Sequence, residues 1–119
     1  MRQAFAHDAI LSMAPEADLA APGAAITVAL CGHWQHEPPC PLAAHHTNAS
    51  RVGDEVHLRT LFAAEPEDER EVRERIARSL ADGQLAGPNG KATSWALHES
   101  RPGTVRPDEL EHAERLARS

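Results

Sequence analysis

Between Cys31 and His46 the chain carries prolines at 38, 39 and 41, and this stretch limits every architecture open to it. Proline removes a backbone donor and fixes φ, so neither a helix interior nor a central strand runs through such a window. The wider segment from Gln35 to Asp54 shows no apolar periodicity and reads as a loop of about twenty residues. A loop of that length in a single domain of 119 residues, 1–119, is uncommon unless it is functional or disordered.

The regular elements are expected on either side of it. Arg2 to Met13 places Phe5, Ala9, Ile10 and Met13 at helical spacing, which predicts a short amphipathic helix ended by Pro15, Pro22 and Gly23. Ala24 to Trp34 alternates, with Ile26, Val28, Leu30 and Trp34 on one face and Thr27, Ala29, Cys31 and His33 on the other, which predicts a strand. Glu55 to Ala63 predicts a second strand, with Val56, Leu58 and Phe62 opposite His57 and Arg59. Glu65-Pro66-Glu67-Asp68-Glu69 opens a helix: proline suits the first turn, and carboxylates suit the positive end of its dipole. Val72, Ile76 and Leu80 form the apolar stripe of that helix, and Gly83 stops it. Pro88-Asn89-Gly90-Lys91 is a turn before a third strand, Ala92 to Glu99, with Trp95 and Leu97 inward. Pro107-Asp108-Glu109 begins a last helix, with Leu110, Ala113, Leu116 and Ala117 inward. The order α-β-β-α-β-α predicts an α+β fold: a small, mostly antiparallel three-stranded sheet with helices on one face. The opposite sheet face, expected to carry Cys31, His33, His57 and His98, is then open to a site or to a second copy in a homodimer.

Six of the ten Cys and His residues lie in the sixteen residues from Cys31 to His46, where even scatter would put about one. They are Cys31, His33, His36, Cys40, His45 and His46. Thiolate and imidazole are the donors preferred by Zn²⁺ and Cu(I), and four of them complete a tetrahedral shell. The i, i+2 spacing of Cys31 and His33 suits one side of a strand, and the prolines stiffen the return path for Cys40 and His45 or His46. Zn²⁺ is the first expectation, because it takes both donor types without redox control, and Cu(I) the second. The spacing matches neither Cys-x₂-Cys nor His-Glu-x₂-His, so no known motif mechanism transfers. Glu37 is a candidate general acid or base beside a metal-bound water, and His57 a candidate extra ligand from the second strand. Trp34 and Trp95 read as core, and His7 and His112 as solvent-facing helix residues.

The net charge of −6 argues against generic nucleic-acid binding, which needs clustered cations. Positive charges in Glu69 to Arg78 are interleaved with Glu and read as helix-surface pairs. No apolar run approaches a membrane span, and Met1 to Ser12 does not read as a secretory signal, so the expected compartment is the cytoplasm. There, Cys31 and Cys40 are expected as thiols rather than a disulfide, and the Asn48-Ala49-Ser50 sequon carries no meaning. Arg outnumbers Lys eleven to one, a pattern of GC-rich, bacterial genomes. With aromatic residues at 3 %, the core must be built mainly from Ala, Leu, Val and Ile.

Four functions compete. A structural or metal-handling site needs a closed donor shell, whereas a small metalloenzyme needs an open coordination position and a concave pocket. A thiol-redox protein would cycle Cys31 and Cys40, although their spacing is wider than Cys-x-x-Cys. The last is a non-catalytic homodimeric interaction module.

Overall fold

The expected helix after Glu65 forms where its start and stop signals lie. Glu65 is extended, Pro66–Asp68 makes a 3-10 turn, and α2 (Glu69–Asp82) ends on Gly83 at φ 75°. Its stripe of Val72, Ile76 and Leu80 is fully buried. The computed structural model describes residues 2–31, 43–86 and 92–118. Within them the class is the expected one, α+β on a mostly antiparallel sheet, but the N-terminal third is arranged differently.

Gln3–Ser12 is not a helix but a strand, β1. It runs in the middle of the sheet, paired antiparallel with β3 (Glu55–Ala64) on one side and β6 (Ala96–Gly103) on the other. Phe5, His7, Ala9 and Leu11 face one way at period two, so this stretch carries both a helical and a strand period, and ladder bonds on both edges decide between them. Ala21–Cys31 is not a strand but a helix, α1. It carries no charge and is apolar nearly all round, because it packs on both the sheet and α2. Such a helix shows apolar residues at every period, including two. Pro22 sits in its first turn, and Asp18 Oδ1 accepts the Ala20 N–H at 2.9 Å just before it.

Part of the expected loop is also ordered as a strand. Ala44–Val52 forms β2, paired antiparallel with β3 along its whole length through the two-residue turn Gly53-Asp54. Gly53 has φ 63°, as a type II′ hairpin requires at its first central position. The expected third strand is divided at Trp95. Ala92–Ser94 (β5) pairs with Gln84–Ala86 (β4) in a small hairpin, while β6 joins the main sheet. Trp95 is core, as expected, and its Nε1–H donates to the Leu80 carbonyl at 2.9 Å.

The main sheet has the strand order β2-β3-β1-β6, and β-α-β-β-α-β connectivity with this order is the ferredoxin-like arrangement. One face packs under α1 and α2, where Leu11, Ile26, Val56, Leu58, Phe62 and Ile76 form the main core. The other face is not bare: α3 (Leu110–Ala117) packs on β1, β2 and β3 from that side. There the buried residues are mostly small, with Ala6, Ala44 and Ala63 beside Leu61 on the strands and Ala113 on the helix. Leu110, expected inward, is instead exposed, and half-buried Glu109 turns to the sheet. Arg59 on β3 holds it there, donating from Nε and Nη2 to Glu109 at 2.8 and 2.7 Å and from Nη1 to Asp8 at 2.9 Å. This bidentate pairing pulls Glu109 down to a pKa of about 2, chiefly through the Arg59 hydrogen bonds and against the cost of burial.

Candidate metal centre

Successive side chains of a strand point to opposite faces, and this separates the two adjacent histidines of β2. His45 pairs across to Phe62 and lies on the α1 side, whereas His46 pairs to Leu61 and lies on the α3 side. The two therefore cannot serve one ion from this strand. Of the other sequence candidates, Cys31 is the last residue of α1, and His33, His36 and Cys40 lie outside the described residues, as do Trp34 and Glu37. Among the described residues no group of three or more His, Cys, Asp or Glu is arranged around a common point.

His45 is held by both ring nitrogens. Nδ1 is 3.1 Å from the Ala43 carbonyl, and Nε2 is 2.9 Å from Thr27 Oγ1 on α1. A carbonyl only accepts, so Nδ1 carries the proton and Nε2 presents its lone pair toward α1. Thr27 Oγ1 also lies 3.2 Å from the Gly23 carbonyl, so its one proton has two acceptors within reach. Nε2 can thus be released to another electrophile while the Thr27 hydroxyl stays bonded to Gly23. A carbonyl fixing Nδ1–H is also the usual outer support of a metal-ligating imidazole.

α1 runs antiparallel to β2 along this contact. Gly23 lies beside Thr47, where a Cβ would come within 3.4 Å of the threonine Cβ, and Thr27 lies beside His45. Cys31 follows Thr27 by one turn, about 6 Å along the axis, at the end of the helix where β2 begins. The groove between the two elements has a volume of about 450 Å³ and is lined by Leu19, Thr27, His45, Thr47 and Ala49 among others.

The histidines outside the cluster have other settings. His57 lies on the α3-side face, opposite His45, with Nε2 3.4 Å from Glu55. His98, on β6, bonds to Ser12 of β1 and lies three strands, about 14 Å, from β2. Neither can complete a shell with His45. His7, expected to face solvent, is instead buried in the central strand, with Nε2 2.8 Å from Ser100 Oγ and Nδ1 3.2 Å from Arg73 Nη1. A guanidinium only donates, so Nδ1 holds the lone pair and Nε2–H donates to Ser100. This tautomer is the reverse of the one needed to deprotonate a serine nucleophile, so the Ser100–His7 pair is structural. Burial first, and then the Arg73 charge, lower the His7 pKa to about 4, with Asp8 opposing.

The sequence matches no protein-family model and no curated protein. No helix among the described residues is long and apolar enough to cross a membrane.

Proposed function

We propose that this chain is a small transition-metal-binding protein, structural or metal-handling, whose site draws on Cys31, His33, His36, Cys40 and His45 and whose ion is Zn²⁺, with Cu(I) second. The observation that carries this reading is the Ala43 carbonyl on His45 Nδ1, which leaves Nε2 as a donor on the side of the helix that ends in Cys31. The sequence joining Cys31 to Ala43 supplies two further imidazoles and a thiol. Cysteine and histidine donors suit borderline-soft cations and disfavour Mg²⁺ and Ca²⁺. His46, on the opposite face, drops out of this ligand set. A cytoplasmic location fits the need for reduced thiols, and with a net charge of −6 the partner is a metal ion rather than nucleic acid or a membrane. A homodimer would use the part of the sheet face that α3 leaves open, around Ile10, Ser50 and His57, and a concentration-independent monomer mass would exclude it.

Cobalt(II) substitution tests the donor set directly. The loaded protein should show sulfur-to-cobalt charge-transfer absorption together with tetrahedral ligand-field bands. Cys31→Ser should lose most of the charge-transfer intensity, and His45→Ala should weaken cobalt binding. Cobalt bound without charge-transfer absorption, or with equal affinity in His45→Ala, would overturn the ligand set.

A further inference from the structure

His46 and His112 meet across the interface between β2 and α3. Their ring centroids are 4.9 Å apart and the rings are tilted by 58°. Of the six histidines among the described residues, His7, His45, His57 and His98 have a ring nitrogen bonded to a neighbour, and His46 and His112 have none. The two histidines whose nitrogens are uncommitted are thus in contact with each other. His46 is exposed and His112 half-buried, so solvent reaches the pair from the β2 edge of the sheet.

We infer that His46 and His112 form a second metal site, a two-imidazole chelate for a divalent late first-row cation such as Ni²⁺, Cu²⁺ or Zn²⁺. Imidazole nitrogens bind such ions at about 2.0–2.1 Å, so two on one ion stand about 3 Å apart. Rings with centroids at 4.9 Å reach that separation by rotation of their side-chain torsions alone. The backbone beneath is fixed on both sides: β2 is paired with β3 along its length, and α3 is anchored by Ala113 and by Glu109 on Arg59. The chelate therefore needs little ordering, and the second imidazole binds at high effective concentration once the first is attached. Two protein donors leave the remaining positions to water, which makes this an open site, unlike a closed Cys/His shell. The ion would tie the C-terminal helix to the edge strand and stabilise that docking through binding to the folded state alone. Because His45 and His46 point to opposite faces, this site is separate from the one proposed at Cys31 and His45 and does not rest on it.

Ni²⁺ titration of the full chain by calorimetry tests the proposal, with His46→Ala, His112→Ala and Cys31→Ser/Cys40→Ser in parallel. One Ni²⁺ event should weaken about 10- to 100-fold in each histidine variant, because each loses the chelate, and should persist in the double cysteine variant. Paramagnetic broadening of backbone amide signals by Ni²⁺ in the unmutated chain should centre on residues around 46 and 112, which locates the site even if a variant folds poorly. Binding that is unchanged in His112→Ala, or broadening away from α3, would overturn the inference. If the Cys31/His45 reading failed instead, the cysteine variant would bind every metal as the parent does while the His46/His112 event remained.

Discussion

Acid should unfold this protein in a window set by one buried histidine. His7 is only 5 % exposed, with the Arg73 guanidinium on one ring nitrogen and the Ser100 hydroxyl on the other. Its pKa falls from an ordinary 6.5 to about 4 in the folded chain. The unfolded chain therefore takes up this proton first as pH falls. The contribution of neutral His7 is fully present above about pH 6.5 and is lost progressively as pH drops through about 4. A fall from 6.5 to about 4 corresponds to about 3 kcal/mol, a large part of the stability of a small domain. Urea unfolding at pH 7, 6, 5 and 4, with a constant denaturant slope, measures it directly. The control is His7→Gln, whose amide can accept from Arg73 and donate to Ser100 without titrating. Across this window the parent should lose about 3 kcal/mol more than His7→Gln. Parallel pH profiles for the two proteins would refute the argument.

Glu109 should act lower on the pH scale. Its folded pKa of about 2 lies below its ordinary 4.5, so its share of stability is present above pH 4.5 and lost as pH falls toward 2. Glu109→Gln should remove that share at neutral pH and loosen α3, seen as faster amide exchange in residues 110–117. Phe62→Ala, at a fully buried position in the main core, should cost about 3–5 kcal/mol in urea unfolding. Gly83→Ala should cost more than about 1 kcal/mol by the same assay, since φ is 75° and the added Cβ would collide with the Trp95 carbonyl.

The elements legible in the sequence are those with a single period and clear punctuation. α2 has Pro66 before it, Gly83 after it and one apolar stripe, and β3 alternates between buried Val56 and Leu58 and more exposed His57 and Arg59. The N-terminal third was illegible for opposite reasons. β1 carries a helical period beside its strand period, and α1, wedged between α2 and the sheet, has no polar face to reveal its turns. No apolar alternation marks β2, because the residues it turns toward α1 include His45 and Thr47, which bond rather than pack. In the sequence His45 and His46 stand side by side in one cluster, whereas the pleat of β2 sends them to different faces. His112 looked solvent-facing because its partner, His46, lies 66 positions away in the chain and comes alongside only when α3 docks on β2. Cys31, expected on a strand, ends helix α1 instead, because α1 is apolar nearly all round and so shows a strand period as well as a helical one.

Whether the Cys/His centre holds a metal is read by elemental analysis of untagged protein purified under reducing conditions, beside Cys31→Ser/Cys40→Ser and His45→Ala. About one tightly held equivalent of zinc or copper is expected in the parent, lost in the double cysteine variant and reduced in His45→Ala. A parent that holds no metal after reconstitution with either ion, or a double cysteine variant that holds as much as the parent, would contradict it.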